Sequence, residues 1–267
     1  MAVINTPIAK TYGWLGVNGT ETDLPAAVRE EKTALAAGET RTVVLETGDE
    51  SWKWEAELAE GAVLRLIQIQ TAGGKNVNDV RVRCGKNARF EWYRVILAGG
   101  PVYDNCTAEL AGDGSSFEAE IGYRLGGDAS LDTNVEAIHL GRKTRSEINA
   151  SGVMSGESQK ILRGTIDLRK GCKGAVGNEM EEVLLLDPRV RNRSVPVILC
   201  AEEDVVGNHG ATIGRLDENL SFYLQTRGLT PEEVERMMAR ALLEAVIRKI
   251  PDEEIRGRLL ETEEKDA

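Results

Sequence analysis

The chain has 267 residues, and its 44 acidic against 33 basic side chains give a formal net charge of −11. This balance opposes binding to a polyanion such as DNA, and no apolar run approaches the roughly 20 residues that span a bilayer. The first ten residues lack the layout of a signal peptide, so we expect a cytoplasmic protein without nucleic-acid or membrane partners.

Residues 1–40 form an N-terminal segment with few clear patterns. Tyr12 to Leu15 is a short apolar run, and the stretch from Asp23 to Lys32, with Pro25 near its start, predicts a short helix.

Between residues 41 and 215, short runs alternate apolar and polar residues and end at Gly, Asn, Asp or Ser, as strands do. The apolar positions are Leu64 and Leu66; Val80, Val82 and Cys84; Cys106, Ala108 and Leu110; Phe117, Ala119, Ile121 and Tyr123; Val135 and Ala137; Ile166 and Leu168. No helical period interrupts this section. It therefore predicts a mainly β domain and leaves a sandwich, a barrel or a solenoid open.

Glycine corners favour the solenoid among these three. A glycine precedes a predicted strand at Gly61, Gly85, Gly114, Gly127 and Gly171, which fits coils that stack strand on strand. The gaps are irregular, and an antiparallel sandwich would show the same alternation. The scarcity of aromatic residues, 4% of the chain, agrees with a core of thin aliphatic layers.

Residues 216–267 change to a helical period. Asp217 predicts the start of a short helix that ends near Gly228, and the run from Thr230 to Glu233 is a capping box with proline at the first helical position. The next helix should end at Pro251 and present an apolar stripe. The stripe comprises Val234, Met237, Met238, Ala241, Leu242, Val246 and Ile250. A weaker helix with Ile255, Leu259 and Leu260 is predicted after it, then a solvated tail over 261–267.

The stretch PVILCAEEDVVGNHGATIGRLDENLSFYLQTRGL, residues 196–229, resembles the closing segment of the SufB/SufD family of iron–sulfur cluster assembly proteins, in its SufD branch. The matching elements are Pro196, Ile198, Glu203-Asp204-Val205, His209-Gly210-Ala211-Thr212, Gly214, Phe222-Tyr223-Leu224 and Arg227-Gly228. The likeness extends more weakly over about residues 40–250, so a short member of the family is implied.

The resemblance implies a right-handed parallel β-helix with a C-terminal α-helical region. It also implies that two such subunits pair, as a homodimer or as a heterodimer with a paralogue. Each subunit would bind an ABC-type ATPase through the C-terminal helices, with Phe222, Tyr223, Met237 and Met238 as candidate contacts. A transient iron–sulfur cluster would form near the subunit interface, and no tightly bound cofactor is expected.

Four residues are candidate ligands or sulfur carriers. His209 is similar to the histidine that the SufD branch places at the interface; the competing interpretation is a turn residue bonded to the backbone. Glu181 stands where the SufB branch has a cysteine, so that thiolate role does not carry over. Cys200, nine residues before His209, is a second ligand candidate, although a buried role is favoured. Cys172 follows a corner glycine, where solvent access would suit a sulfur acceptor.

The remaining candidates favour structural roles. His139 lies on a predicted strand, and Cys84 and Cys106 occupy alternating strand positions, which predicts packed side chains. The four cysteines form no CxxC pair and predict free thiols rather than a zinc site. We interpret the acidic run 202–204 as a solvated face rather than as a cation site.

Non-catalytic function is expected because the sequence contains no phosphate-binding glycine loop and no recognisable Ser–His–Asp set. Two alternatives stay open. One is a β-helix enzyme acting on polysaccharides, for which Trp52, Trp54 and Trp92 would be the aromatic platforms. The other is a structural partner of the ATPase that holds no cluster.

Overall fold

A computed structural model describes residues 2–11, 13–23, 28–97 and 99–265. Its main body consists of two seven-stranded sheets, between which the chain alternates. The strands of the odd sheet are β3 (Val28–Leu35), β5 (Glu50–Leu58), β7 (Asn76–Cys84), β9 (Pro101–Leu110), β11 (Ser130–His139), β13 (Gln159–Leu168) and β15 (Arg191–Cys200). The strands of the even sheet are β4 (Thr40–Glu46), β6 (Val63–Gln70), β8 (Arg89–Ile96), β10 (Ser116–Leu125), β12 (Arg145–Met154), β14 (Val176–Leu185) and β16 (Val206–Gly214).

Each strand pairs in parallel with the strand one turn further along the chain. In the even sheet, for example, Ser116 of β10 lies opposite Arg145 of β12, and the register runs without a slip to Leu125 and Met154. Parallel pairing throughout both sheets confirms the predicted parallel β-helix and excludes the antiparallel sandwich. The strand β3, which precedes the predicted boundary at residue 41, is the first strand of the odd sheet.

One corner of the solenoid is a column of residues with positive φ angles. They are Gly38, Gly61, Asn87, Gly114, Lys143 and Gly174, with φ between 55 and 76°. The N–H of each donates to a carbonyl of the next turn, as Gly114 does to Arg142 at 2.8 Å. A Cβ at Gly114 would collide with Asn87 Oδ1, so glycine is required where this column is tightest.

Inward-facing residues form one long apolar core, which contains Cys84 and Cys106 as predicted. A polar level interrupts it near the corner that joins β6 to β7. Arg94 and Asp104 are completely buried there, with Nε 2.9 Å from Oδ2. Arg94 also donates to Thr47 Oγ1, Gln70 Oε1 and Asn76 Oδ1, each at 3.1 Å. The Arg94 guanidinium is therefore well paired, which lowers the cost of burying its charge, although Gln70 Nε2 has no partner among the described residues.

Three helices follow the solenoid: α1 (Glu218–Gln225), α2 (Pro231–Ile247) and α3 (Glu253–Lys265). The predicted caps are confirmed, since Asp217 accepts from Leu220 N and Thr230 forms a capping box with Glu233. The loop after α1 contains Gly228 at φ 100°.

The packing face of α2 differs from the predicted stripe. Its buried residues are Val234, Ala239, Leu243, Val246 and Ile247. Val246 approaches the backbone of the even sheet at Gly122, where an added Cβ would lie 3.2 Å from its Cγ1. With Val246 placed against the sheet, Met237 and Ala241 of the predicted stripe face solvent, and Met238 is half-buried.

The predicted tail is also helical as far as Lys265. Glu263 is buried and accepts from Arg124 Nη2 at 2.9 Å, which ties α3 to the outer face of β10. A helix was not expected there because the acidic sequence gives no apolar stripe. Among the described residues, no helix is long and apolar enough to cross a membrane.

The N-terminal segment contains β1 (Ala2–Ile4), a 3-10 turn (Gly13–Leu15) and β2 (Thr20–Thr22), which pairs antiparallel with β1. It covers Asp132 and Arg163 on the outer face of the odd sheet; Asn5 Nδ2, for example, lies 2.8 Å from Asp132 Oδ1. The helix predicted from Asp23 is wrong for residues 28–32, because β3 pairs with β5 there; residues 24–27 lie outside the described ones.

Candidate functional site at the open end of the solenoid

The last turn of the solenoid leaves two strand edges open. Among the described residues, β15 pairs only with β13, and β16 pairs only with β14. The strand β16 includes no Asp, Glu, Lys or Arg, whereas β15 carries Arg191 and Arg193 near its start and is uncharged from residue 194 to residue 200. Unpaired edges are usually protected by charges, so the uncharged edge of β16 is unusual for a strand that faces water.

The opposite end of the solenoid follows the usual rule. There β3 forms the free edge of the odd sheet and carries Arg29, Glu30, Glu31 and Lys32 in succession. Such a charged edge resists strand addition. The two ends are therefore chemically different.

His209 lies on β16 and is exposed. The competing interpretation of His209 as a turn residue is wrong, because His209 to Thr212 continue the sheet in register with Glu179 to Glu182 of β14. Partners in a parallel register share a face, and Glu179 belongs to the buried, inward-facing set of β14. The imidazole therefore projects from the inward face of the last turn, directly above Glu179.

Glu179 was not among the predicted site residues. Its carboxylate is almost fully buried, since only 5% of the residue is exposed. A Cβ at Gly164, on the facing sheet, would collide with Glu179 Oε1, so the glycine opens a cradle for this carboxylate. Among the described residues, no hydrogen-bond donor reaches its Oε2. Burial, and next the charge of Glu181, raise the pKa of Glu179 to about 7, against a lowering effect of Lys160.

Glu181 forms a buried ion pair with Lys160, whose Nζ also donates to Ser194 Oγ at 3.3 Å. Burial lowers the pKa of Lys160, and the neighbouring Glu181 opposes that shift. The hydroxyl of Tyr123 is buried without a partner among the described residues, and burial followed by the charge of Glu181 raises its pKa. The interior below His209 is therefore polar, and the Glu181 carboxylate is already paired with the Lys160 ammonium.

The two cysteines near this end have exposures opposite to those predicted. Cys200, the final residue of β15, is exposed, and its thiol donates to Glu202 O at 3.2 Å. No further strand of the described chain covers it. Cys172 is buried against Ile166, Leu168 and Ala175, so its predicted solvent access is wrong. Burial, and next Glu202, raise the pKa of the Cys172 thiol.

His139 has the structural role that was predicted. It lies inside the solenoid, with Nδ1 2.8 Å from Thr144 Oγ1 and Nε2 2.9 Å from Ser146 Oγ. Burial lowers its pKa to about 4, so the ring is neutral near pH 7. Trp54 and Trp92 are buried as well, which removes them as platforms for a sugar.

The helical region exposes an aromatic surface. Phe222 is 70% exposed, and Tyr223 of the same helix lies under the guanidinium of Arg227 at 5.1 Å. Met237 of α2 is exposed too. None of the residues of α1 is buried, so this short helix contributes little to the core of the chain.

Within the described ranges, no group of three or more His, Cys, Asp or Glu side chains is arranged to hold a metal ion. The open end has a few side chains that could bind a metal ion, and His209 and Cys200 are exposed among them.

Comparisons with known proteins agree with this architecture. The family model for the SufBD core domain, described as SUF system FeS cluster assembly, matches residues 40–242. The chain is 27% identical over 219 residues to the iron–sulfur cluster assembly protein SufD of Bacillus subtilis (strain 168), covering 82% of this chain and 48% of the relative. It is 28% identical over 194 residues to a SufBD family protein of Mycobacterium bovis, covering 72% and 23%. A chloroplastic SufBD family protein of Arabidopsis thaliana is 24% identical over 169 residues, covering 63% and 30%.

The chain thus spans half the length of these curated relatives or less, and the matched region is the solenoid together with the first part of the helical region. The match includes the open end and both of its free strands. The chain belongs to the SufBD core family of SUF-system iron–sulfur cluster assembly proteins.

Proposed function

We propose that this chain is a non-catalytic scaffold subunit on which an iron–sulfur cluster is assembled transiently. The observation that carries the proposal is the open end, where two unpaired strand edges present His209 and Cys200 to solvent. Imidazole and thiolate are both ligands for iron, and thiolate is the usual ligand of clusters.

The same edges support a second part of the proposal, that the chain pairs with another subunit through its open end. A second chain can add its strands to β15 and β16, which supplies backbone hydrogen bonds to groups that otherwise face water. The partner is another copy or a paralogue with a similar end. In either case the ligands of two chains meet at one interface, which would complete a site that a single chain leaves open.

Docking of an ABC-type ATPase is proposed for the helical surface. An aromatic side chain as exposed as Phe222 is typical of an interaction surface, and Met237 adds apolar area on the neighbouring helix. Because α1 buries none of its residues in the described chain, it is free to bind a partner without disturbing the core.

Co-expression with the cognate ATPase tests the docking surface. We expect a stable complex that Phe222→Ser weakens by tenfold or more, since aromatic anchors often dominate an interface. Leu140→Ser, at an exposed position on a corner of the solenoid, is the matched control and should leave the complex intact. Failure of two folded proteins to associate would contradict the proposal.

Anaerobic reconstitution with iron and sulfide tests the ligand roles. The native chain should retain more iron than His209→Ala or Cys200→Ala, measured with the partner subunit present. Equal iron content in all three proteins would refute both ligand roles. The chain would then be a structural partner of the ATPase that holds no cluster.

A further inference from the structure

The two sides of the open end carry opposite charges. The corner that joins β15 to β16 contains Glu203 and Asp204, both exposed, and we call these two residues the acidic corner. On the other side, β15 begins with Arg191 and Arg193, and Arg215 directly follows β16. These three arginines are exposed as well, and we call them the basic corner.

The strand register places Arg215 beside the start of β15. Gly214, the last residue of β16, pairs with Leu184 of β14. Arg215 then lines one cleft together with Leu185, at the end of β14, and Pro188, in the turn that follows. Because β15 starts just after this turn, the three arginines share one side of the open end.

Both corners retain charge that another molecule can pair with. Lys173, one turn below the acidic corner, approaches Asp204 only at 3.7 Å, and the two side chains are 70% and 66% exposed, so this ion pair is weak. On the basic side, two carboxylates are already engaged. Asp187 pairs with Arg189 at 2.9 Å, and Asp217 caps α1.

A second copy of the chain offers the complementary pattern. Two identical ends that meet about a twofold axis can pair their edge strands antiparallel in two ways. In the first, β15 pairs with β15 of the second copy and β16 with β16, so each acidic corner meets a basic corner. In the second, β15 pairs with β16 of the second copy, and like corners meet. Like charges that face each other oppose association, so charge favours the first arrangement.

The positions of the charges along each strand agree with the first arrangement. A symmetric pairing about the middle of β16 brings Arg215 of one copy next to Asp204 of the other. A symmetric pairing about Val197, the middle of the uncharged part of β15, brings Arg191 opposite Glu203. Each strand therefore gains a pair of opposite charges at both of its ends.

We propose that the acidic and basic corners select a second copy of this chain as the partner and orient it so that β15 meets β15 and β16 meets β16. The strand edges supply backbone hydrogen bonds, and the corners decide which strand each edge receives. The inference rests on the proposed pairing through the open end, and it names the partner and its orientation.

Analytical ultracentrifugation of charge-reversed chains tests the two corners. We expect the native chain to form a dimer. Arg191→Glu with Arg193→Glu, and separately Glu203→Lys with Asp204→Lys, should each weaken self-association at least tenfold, because like charges then face each other. An equimolar mixture of the two variants should dimerise again, since both contacts regain opposite signs.

The matched control is Arg145→Glu with Arg236→Glu, which reverses two exposed charges away from the open end and should dimerise like the native chain. Val197→Cys in a Cys200→Ser background tests the orientation. Diamide should cross-link the two copies through residue 197, because β15 then lies against β15. In the second arrangement the two thiols lie on different sheets, about 10 Å apart, which is too far for a disulfide.

Self-association that is unchanged in both charge-reversed variants, or that mixing does not restore, would overturn the proposal, as would a dimer without the cross-link at residue 197. Circular dichroism will show whether the variants fold; should a double variant not fold, Arg191→Glu and Glu203→Lys alone repeat the test. A monomeric chain that binds a paralogue and retains iron with it would overturn this inference and leave the scaffold function standing. A dimer with the expected charge dependence that holds no iron and binds no ATPase would contradict the proposed function and leave this inference standing.

Discussion

Replacing Glu179 by glutamine should change the way in which stability depends on pH. Its pKa is raised from 4.5 to about 7 in the folded chain, mainly by burial. Folding therefore favours the protonated carboxyl. This contribution is fully present below about pH 4.5 and is lost as the pH rises through 7. At about 1.4 kcal/mol per pH unit, the loss amounts to ~3 kcal/mol, which the neutral amide of glutamine would not show.

Urea unfolding of both proteins between pH 5 and pH 8 measures the effect. We expect Glu179→Gln to be more stable by about 1 kcal/mol at pH 5 and by ~3 kcal/mol at pH 8. His139, with a pKa lowered to about 4, has the opposite trend: its contribution is present above 6.5 and lost as the pH falls through 4. Because both proteins contain His139, its effect cancels in the difference. Parallel stability curves would refute the assignment of an unpaired buried carboxylate.

Three further predictions concern the core, the thiols and the first helix. Asp104→Ala leaves the Arg94 guanidinium without its ion-pair partner and should cost about 3–5 kcal/mol in urea unfolding, whereas replacing both residues by apolar ones should recover most of it. An aromatic disulfide reagent should modify Cys200 in the native chain within minutes; the thiols that should react only after unfolding are Cys84, Cys106 and Cys172. Asp217→Ala removes the N-cap of α1 and should lower its local opening free energy by about 1 kcal/mol, measured by hydrogen exchange, without changing exchange in the solenoid.

Much of the fold could be predicted because its signals are local. Alternation along each strand and the corner glycines follow from backbone geometry, and Gly61 and Gly114 do take the positive φ angles that such corners need. The helix starts were equally clear, since Asp217 and Thr230 bond to backbone within three residues. Signals of this kind do not depend on the rest of the chain.

The candidate site was harder to predict because burial at the open end is not a local property. Alternation places Glu179 and Glu181 on one face of a strand but does not say that this face is the interior. The facing Gly164, whose missing Cβ makes room for Glu179, is distant in the sequence. The exposures of Cys172 and Cys200 depend on which strands form the edge of the solenoid. The local sequence pattern does not contain this information.

The packing of α2 shows the same limit on the helical side. A stripe through Met237 and Met238 satisfies the helical period, and so does the observed face through Leu243 and Val246. The close approach at Gly122 decides between them, and that contact joins residues more than a hundred positions apart.

If copies of the chain pair through the open end, as proposed, the unlike ends of the solenoid would limit how many can join. Strands that add to β15 and β16 would use up the edge of β16, which has no Asp, Glu, Lys or Arg. At the other end, β3 has four charged side chains in succession, and β4 has Arg41 and Glu46. A rod with two receptive ends would grow into a fibre; one receptive end allows a single head-to-head contact and then growth stops. On the proposed pairing, the charges on β3 would therefore stop assembly after one contact, and their removal would leave a second edge to which strands could add.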